Sequence, residues 1–358
     1  MTVTQKNPAL TVTADHQIKV VDAPIRVPGA DEVLIHVKCT GVCGSDIHFW
    51  KHGAIGDLKF EGDCIIGHES AGVVLKAGAN VKNVKEGDRV AIEPGMPCEQ
   101  CYLCMQGDYN LCQDVQFSGV YPYDGCLQRY KVHRAKYVYK IPDNMSFGQG
   151  ALIEPLSVVI HGVERAQLKL GHGCLITGAG PIGLIALEVA RASGATPIVI
   201  TDLSAERLEF AKKLVPQCQT YQINVKDSPR ESANSIRALF GPTEYEAPDC
   251  VLECTGVQSS VLTACYSARR SGSVVAIGVG KDKMDDIPFM HVSLAEIDIK
   301  FINRYHNSWP VAIKLLSQGV INIDSLITHQ LRLEQAKEAL ELASDPKNGS
   351  IKVHVEDS

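Results

Sequence analysis

Two features that direct chains to nucleic acid or to a membrane are missing from this sequence. It has 35 basic and 41 acidic residues, a net charge of -6 and no run of basic side chains. This balance argues against nucleic acid or an anionic membrane surface as the main partner. The longest apolar stretch, 173–187, is interrupted by four glycines and a proline and is too short to span a bilayer. We therefore expect it to be part of a protein core.

An apolar signal-peptide core is also lacking from the first 20 residues,. Thirteen cysteines without such a signal predict a reducing compartment, where thiols bind metal or pack as small apolar groups,. We expect a cytoplasmic protein. Internal repeats and low-complexity segments are absent too, and 358 residues are enough for two domains with separate cores,.

Residues 1 to about 155 have the pattern of short strands joined by turns. Segment 33–39 alternates apolar and polar side chains as a half-buried strand does, and 70–75 and 88–92 have the composition of further strands,. Glycines separate these segments. The sequence therefore predicts that this part of the chain is rich in β-structure.

Cys43, His68 and Glu69 are the three ligand types that hold an open, catalytic Zn²⁺,. Cys43 and His68 are 25 residues apart, so the site would form only when the chain folds. The alternative is a buried free cysteine and an ordinary histidine. Ser45 and His48 follow Cys43 closely and are suited to carry a proton from such a site to water; otherwise they are a turn-capping serine and a surface histidine.

A second set of thiols lies further along the chain. Four cysteines at spacings of three, three and eight residues are the pattern of a closed, structural zinc site: Cys98, Cys101, Cys104 and Cys112,. Chance clustering or a pair of disulfides is the alternative interpretation.

The periodicity changes after residue 170. A short apolar strand, 174–177, is followed at once by Gly178, Gly180 and Gly183 in a G-x-G-x-x-G pattern, and apolar residues then recur at helical spacing,. The next strand ends at Asp202, 19 residues after Gly183. Together, the strand, the glycines, the helix and the acid are a dinucleotide-binding fingerprint.

Each part of the fingerprint has a physical role. Gly178 permits a tight turn, Gly180 lets a pyrophosphate approach the helix N-terminus, and Gly183 allows the helix to pack closely on the strand. Asp202 can accept hydrogen bonds from ribose hydroxyls and would repel a 2′-phosphate, which favours NAD over NADP. Arg207 could cover the adenine or attract a phosphate. A Rossmann-like turn that binds nothing is the alternative.

Later segments fit the same doubly wound sheet. Segments 249–253 and 272–277 have the pattern of strands, 206–214 and 259–269 that of crossover helices,. We expect 301–305 to be a strand that returns to the first domain and 335–343 to be a closing amphipathic helix.

Three further residues are candidates for the site. Glu154 lies in apolar surroundings at the join between the two parts, where a buried carboxylate is costly unless it is paired or bound to metal,; a salt bridge between domains is the competing interpretation. Arg304 and Tyr305 are donors suited to a polyhydroxylated substrate, although Arg304 could equally meet a cofactor phosphate. An open zinc and a nicotinamide cofactor in one chain predict hydride transfer between an alcohol and a carbonyl.

Several motifs in combination resemble one family. GVCGSDIHFW, GHESAG, GDRVAIEPG, the four-cysteine segment, GALIEPLSV, GAGPIG, TDLSAERL, ECTG and RYHNSWP are similar to zinc-dependent medium-chain polyol dehydrogenases of the sorbitol dehydrogenase type, including fungal L-arabinitol and xylitol dehydrogenases. The resemblance runs from about residue 33 to the C-terminus. It implies an α/β fold with a β-rich GroES-like catalytic domain, 1–155 completed by 297–358, and a Rossmann NAD-binding domain, 156–296. It usually implies a homotetramer.

The resemblance also implies roles for individual residues. Catalytic zinc would be held by Cys43, His68 and Glu69, with Glu154 as an exchangeable ligand or water partner. Polyol contacts would come from Phe49, Glu154, Arg304 and Tyr305. Contacts with NAD would come from Ile182, Asp202, Arg207, Ile277, Gly278, Val279 and Arg304.

Two departures affect the expected substrate. Animal sorbitol dehydrogenases lack the complete set of four cysteines, which is present here as in the fungal and bacterial relatives. They also tend to have Tyr where this chain has Phe49, and in this Phe the chain resembles the L-arabinitol enzymes. His161, in contrast, is more similar to the sorbitol branch. The sequence leaves open which polyol is used and whether Glu69 or Glu154 is the resting zinc ligand.

The leading hypothesis is therefore NAD-dependent oxidation of a secondary hydroxyl of a sugar alcohol to the ketose. A zinc alcohol or threonine dehydrogenase of the same superfamily is the nearest alternative. A non-enzymatic binding protein with a zinc ribbon is an alternative from another class, although the dinucleotide fingerprint argues against it.

Overall fold

The computed structural model describes residues 6–358. Residues 1–5, which belong to the predicted first domain and to the N-terminal stretch without a signal core, lie outside this range. Among the described residues, no helix combines the length and the apolar character needed to cross a bilayer.

The strands of the described chain are short, as the spacing of turn residues predicts. In chain order they are β1 (Pro8–Val12), β2 (Ile18–Asp22), β3 (Glu32–Gly41), β4 (Ala54–Ile55), β5 (Leu58–Lys59), β6 (Cys64–Ile65), β7 (Glu69–Ala77), β8 (Arg89–Ile92), β9 (Gly95–Met96), β10 (Gln116–Phe117), β11 (Tyr130–Arg134), β12 (Val138–Lys140), β13 (Cys174–Thr177), β14 (Ile198–Asp202), β15 (Gln219–Gln222), β16 (Cys250–Glu253), β17 (Ser273–Ala276), β18 (Asp298–Phe301), β19 (Ile327–Arg332) and β20 (Lys352–Glu356).

Helices are concentrated in the second half of the chain. They are α1 (Gly44–His52), α2 (Tyr102–Gln106), α3 (Phe147–Ala151), α4 (Ile153–Ala166), α5 (Pro181–Ala192), α6 (Ala205–Leu214), α7 (Pro229–Arg237), α8 (Gln258–Ser267), α9 (Phe289–Leu294), α10 (Trp309–Ser317) and α11 (Ala336–Ser344).

Contacts divide the chain into two compact units. The first consists of residues up to Glu154 with 306–319 and 324–358, and the second consists of 155–305 with 320–323. The sequence placed these boundaries at 155 and at 296–297.

The first unit is built on a seven-stranded sheet. Its strand order is β12-β8-β7-β3-β20-β19, and β11 also pairs with β3. Both faces of β3 are covered, because Val33, Ile35 and Val37 belong to one buried apolar cluster and Leu34 to another. The prediction of a β-rich first part is confirmed. The alternation of β3 predicted one buried face, since neighbouring side chains of a strand point to opposite faces, and the structure buries Leu34 on the other face as well.

The second unit has a six-stranded sheet in which each pairing is parallel. Its order, β15-β14-β13-β16-β17-β18, is that of a doubly wound dinucleotide-binding fold. The central strands β13 and β16 are buried at each position, which explains their unbroken apolar runs, because helices cover both faces of such sheets. The predicted fold class is confirmed.

One element was interpreted wrongly. The segment 301–305 was expected to be a strand of the first domain, but the strand in this region is β18, which ends at Phe301 and pairs with β17 at the edge of the six-stranded sheet. Its two end residues are exposed and its two middle residues are half-buried, which reflects this edge position. A short edge strand with one covered side has too weak a pattern for the sequence to assign it to a sheet.

A buried carboxyl connects the seven-stranded sheet to the four-cysteine segment. Glu93, which follows β8, is completely buried. Its Oε1 and Oε2 accept hydrogen bonds of 2.8 Å from the hydroxyls of Tyr109 and Tyr139. Burial raises the pKa of Glu93 to about 7, although both hydroxyls oppose the shift. The carboxyl is therefore partly protonated near neutral pH.

This geometry predicts a specific pH dependence of stability. Because the folded-state pKa of Glu93 lies above its unfolded value, the folded state binds the proton more tightly. The contribution of protonated Glu93 to the free energy of unfolding is greatest at acidic pH and is lost as pH rises through about 7,. Glu93→Gln should remove this loss, so the Tm of the variant relative to the parent should rise between pH 5 and pH 8. Thermal unfolding at several pH values measures the difference.

Asp88→Asn is the matched control. Asp88 lies just before the same strand, and its pKa is lowered by Lys140 and the Lys85 amide, which outweigh its burial. Its charge does not change between pH 5 and pH 8, so the Tm difference between this variant and the parent should stay constant. A constant difference for Glu93→Gln as well would contradict the assignment.

Candidate metal and cofactor sites

The register of three strands in the first unit brings the predicted metal ligands together. Gly41 of β3 lies opposite Glu69 of β7 on one side and His354 of β20 on the other. Cys43 follows β3 by two residues and is the N-cap of α1, and His68 directly precedes β7. A Cβ at Gly41 would lie 2.2 Å from Oε2 of Glu69, so the Glu69 side chain has its space only because residue 41 is glycine.

Cys43, His68 and Glu69 form a compact donor set. One ligand atom from each lies within 4.8 Å of the others. His68 and Glu69 are buried, and Cys43 is half-buried. One sulfur, one imidazole nitrogen and one carboxylate oxygen fit Zn²⁺ and leave a fourth position for a substrate oxygen.

Asp46 connects the two segments that carry these ligands. One of its oxygens accepts a 3.0 Å hydrogen bond from the Cys43 amide, and the other accepts one of 3.1 Å from the Gly67 amide and lies 3.5 Å from Nδ1 of His68. Burial alone would lower the pKa of His68, but Asp46 and Cys43 raise it well above its ordinary value. Sequence reasoning missed Asp46, whose signal was its position three residues after an N-cap.

The remaining predicted residues of this site lie nearby or on α1. Oγ of Ser45 is 3.4 Å from Nε2 of His68. His48 is exposed one turn further along α1, where burial and His52 lower its pKa below the ordinary value. Glu154 is buried in the first turn of α4 but is not a member of the three-residue donor set.

Phe49 lies in the core. Its side chain is 2% exposed and stacks on Phe60 with ring centroids 4.7 Å apart. It belongs to a buried apolar cluster that also contains Leu10 and Phe117. Its contact with a substrate stays a prediction.

The four cysteines of the second set also converge. One sulfur from each of Cys98, Cys101, Cys104 and Cys112 lies within 4.8 Å of the others, and the pair Cys101–Cys104 is separated by 3.4 Å. Sulfurs at the corners of a zinc tetrahedron are about 3.8 Å apart, given Zn–S bonds of about 2.3 Å. The amides of Gln100 and Cys101 lower the pKa of Cys98 to about 7, which favours the thiolate that binds metal.

The glycines of the fingerprint have the geometry that a dinucleotide needs. Gly178 has a φ of +92°, and a Cβ at Gly183 would lie 1.7 Å from the carbonyl oxygen of Gly178. At Gly180, the N-cap of α5, a Cβ would meet only Arg207, at 3.8 Å. Space is therefore open where a pyrophosphate would meet the helix N-terminus.

Asp202 and Arg207 line a cavity of about 350 Å³ beside these glycines. The two oxygens of Asp202 accept hydrogen bonds of 2.7 Å from the Ala179 amide and 2.8 Å from the Ser204 amide. These bonds fix the carboxylate at the end of β14 and leave lone pairs directed elsewhere, as an acceptor for ribose hydroxyls requires.

Matches to known families and proteins identify the family of this chain. Residues 29–143 match the family described as alcohol dehydrogenase GroES-like domain, and 181–318 match zinc-binding dehydrogenase. The chain is 49% identical to an L-arabinitol 4-dehydrogenase of Aspergillus niger over 329 residues, 90% of this chain and 85% of that one. It is 44% identical to a sorbitol dehydrogenase of Macaca fascicularis, covering 95% and 94% of the two chains. This chain belongs to the zinc-binding polyol dehydrogenases.

A solved structure supports the same family. The L-idonate 5-dehydrogenase of Escherichia coli superposes with a TM-score of 0.88 at 28% identity, over 98% of each chain. The predicted resemblance is confirmed. This chain is therefore an oxidoreductase with the two-part fold of the family.

Two buried residues of this dehydrogenase were not singled out from the sequence. Lys352, the first residue of β20, donates to both carboxylate oxygens of Glu69, at 2.8 and 2.7 Å. Glu253, at the end of β16, is also fully buried. Lys352 and Glu69 are 283 positions apart, so no local spacing connects them, and the bond of Glu253 with Thr177 spans 76 positions.

Glu253 holds together two loops beside the cofactor cavity. It accepts hydrogen bonds from side chains or amides of Thr177, Thr255, Gly256 and Ser260 at 2.5–3.3 Å. A buried anion with this many donors is fully satisfied. The interaction fixes the end of β13, directly before Gly178.

The other predicted cofactor and substrate residues lie in the second unit. Ile182 and Ile277 are half-buried, and Val279 is exposed. Amides of Ile277 and Gly278 donate to the Glu253 carbonyl oxygen at 2.8 and 2.9 Å, which fixes this turn. Arg304 has a φ of +56°, a conformation that costs about 1 kcal/mol outside glycine, and Tyr305 is buried.

The two sulfur-containing donor sets predict a metal stoichiometry. Metal analysis should find about two zinc ions per chain, one for each set. Cys43→Ser should lower this to about one and reduce activity at least about 100-fold, because the open site loses its thiolate and the four-cysteine set is unchanged. Atomic absorption and initial rates measure both. Loss of both ions from Cys43→Ser would contradict the independence of the sites.

Proposed function

We propose that this dehydrogenase oxidises a secondary hydroxyl of a five- or six-carbon sugar alcohol to the ketose, with NAD as hydride acceptor. The observation that carries the proposal is the compact donor set of Cys43, His68 and Glu69 in a chain whose second unit has the dinucleotide-binding cavity beside Asp202. The names of the similar proteins, L-arabinitol 4-dehydrogenase and sorbitol dehydrogenase, support a polyol as substrate.

Zinc in the open site would supply a Lewis acid for the hydroxyl, and the nicotinamide would take up the hydride. The residues of this chain do the rest. Cys43, His68 and Glu69 orient the reacting oxygen, and Ser45, close to His68, receives its proton. His48 on the exposed face of α1 passes the proton to water; its lowered pKa keeps it neutral at pH 7 and able to accept.

Substrate recognition is proposed for four residues. Glu154 accepts hydrogen bonds from substrate hydroxyls or serves as an exchangeable ligand, and Arg304 and Tyr305 donate to others. The exposed fraction of Phe49 is 2%, so its influence on polyol preference acts through the wall of the pocket. The strained backbone of Arg304 supports a functional role for this turn, since such conformations are concentrated at functional sites.

We assign NAD rather than NADP as the cofactor. Asp202 binds the adenosine ribose and Arg207 lies against the adenine, while Gly178, Gly180, Ile182 and Gly183 surround the pyrophosphate. The turn of Ile277, Gly278 and Val279, together with Arg304, contacts the nicotinamide half.

A second, structural zinc is proposed at Cys98, Cys101, Cys104 and Cys112. The thirteen cysteines are free thiols, which supports a reducing, cytoplasmic location. We also propose a homotetramer. Large apolar side chains are exposed at the edge of the six-stranded sheet and in the four-cysteine segment, which is typical of surfaces that bind another subunit: Phe289, Met290, Leu294, Phe301, Tyr102 and Met105.

The function is tested by initial rates of NADH formation with sorbitol, xylitol, L-arabinitol, galactitol and ribitol. We expect a kcat/KM for at least one of these polyols that exceeds the values for ethanol and L-threonine at least about 100-fold, because the proposed pocket donors are left unpaired by smaller alcohols. Faster turnover of ethanol or L-threonine would show instead an alcohol or threonine dehydrogenase. An absence of NAD binding would support the zinc-ribbon alternative.

Cofactor preference is tested at Asp202. Asp202→Ala should weaken the binding of NAD about 10- to 100-fold, because charge-assisted hydrogen bonds to the ribose are lost. The difference in affinity between NAD and NADP should become smaller. Fluorescence titration with both reduced cofactors measures this. Asp227→Ala, which changes another acid that lines the same cavity, is the control and should leave the preference as it is. An unchanged preference in Asp202→Ala would show that Asp202 is not the ribose ligand.

A further inference from the structure

We propose that Lys352 is a positioning residue of the metal centre, which holds both carboxylate oxygens of Glu69 and so limits the negative charge that Glu69 delivers to the ion. The proposal rests on the proposed function and deepens it. It identifies how one acidic ligand can help to hold a divalent cation without neutralising it.

The ammonium group of Lys352 makes three hydrogen bonds. Its Nζ lies 2.8 and 2.7 Å from the two oxygens of Glu69 and 3.2 Å from the carbonyl oxygen of Val42. An ammonium group has three donors, so this set uses each of them. The side chains of Lys352 and Glu69 are 3% and 1% exposed, and water therefore cannot replace either partner.

The position of Glu69 is constrained from the other side as well. Gly41 lies against its carboxylate, where even a Cβ would approach to 2.2 Å. The glycine thus leaves the carboxylate the space in which Lys352 reaches both of its oxygens. In this position, any bond that Glu69 makes to an ion is made by an oxygen that also accepts from an ammonium, and such an oxygen is a weaker donor.

The charges around the site explain why this matters. A thiolate at Cys43 and a carboxylate at Glu69 would together cancel the charge of a divalent ion, and a neutral centre polarises a hydroxyl poorly. Lys352 restores one positive charge. Its Nζ lies 2.7 Å from an oxygen of Glu69, so this charge is directly beside the proposed ligand.

The alternative is a counter-ion with a purely structural role. In that case Lys352 would only offset the cost of burying Glu69, and the metal itself could replace it in the loaded enzyme. The two roles differ in what happens to the bound metal and to the pH dependence of the reaction when the ammonium is removed.

The test uses zinc-loaded and cobalt-substituted full-length enzyme with Lys352→Met and Lys352→Arg. In Lys352→Met the oxygens of Glu69 no longer accept from an ammonium and are stronger metal ligands. We therefore expect the open site to keep its metal, and a chelator to remove that metal at least about three-fold more slowly than from the parent. The acid limb of the pH profile of kcat/KM should move up by about one pH unit, as expected when a charge at short range is lost. Lys352→Arg keeps a charged fork for the carboxylate and should restore the parental limb.

Lys131→Met is the matched control. Lys131 is a similarly buried lysine, 7% exposed, that donates to the carbonyl oxygen of Asp124. Its loss should change stability but neither the chelator rate nor the pH limb. Lys352→Gln keeps donor hydrogens without the charge and should behave like Lys352→Met. If the methionine variant does not fold, the glutamine variant is used in its place.

Two results would overturn the proposal. One is that the acid limb of the kcat/KM profile and the cobalt absorption spectrum are both the same in Lys352→Met or Lys352→Gln as in the parent. The other is faster loss of the open-site metal, which would mean that the pair only holds Glu69 in place. A parent without NAD-linked polyol oxidation would refute the proposed function instead, and metal release would still report on Lys352.

Discussion

A buried ion pair in the middle of a sheet is the constraint on which the metal centre depends. Glu69 and Lys352 are almost completely excluded from water, and neither could be buried alone without a large desolvation cost. They meet because β7 and β20 lie on either side of the C-terminal end of β3, where both pair with Gly41. The same register places Cys43 just beyond the end of β3. A shift of β20 by one residue would turn Lys352 to the other face of the sheet and leave Glu69 as an uncompensated charge.

Several acidic residues of the chain are buried or partly buried, and each has a different role that follows from its hydrogen-bond partners. Glu69 is paired with the ammonium of Lys352. Glu93 is held by two tyrosine hydroxyls, and its pKa rises to about 7, so it behaves as a structural carboxyl that links the four-cysteine segment to the sheet. Glu253 is surrounded by uncharged donors and fixes loops beside the cofactor cavity. Asp202 is held by backbone amides, which leave it available to a ligand.

Membership in the zinc-binding polyol dehydrogenases gives these observations a common explanation. The first unit has the compact donor set, and the second has the glycines and the acid of a dinucleotide site. Hydride transfer needs both a polarised hydroxyl and a nicotinamide, so neither unit has a complete function alone. The four-cysteine segment is separate from that donor set; its sulfurs are close enough to share one ion, and the bond of Tyr109 with Glu93 connects the segment to the seven-stranded sheet.

The sequence alone determined those features that depend on local spacing. The alternation in β3, the apolar runs of the parallel strands, the four cysteines and the glycine fingerprint with Asp202 are each encoded within short segments, because turns, helix starts and strand faces follow from neighbouring residues. The edge strand β18 was misassigned because one short strand does not show which sheet it joins. Tertiary structure decided what Lys352, Asp46 and Glu253 do and showed Phe49 in the core. Those roles include contacts between separate segments, Lys352 with Glu69, Asp46 with Gly67 and Glu253 with Thr177, and no local pattern records which distant groups will meet.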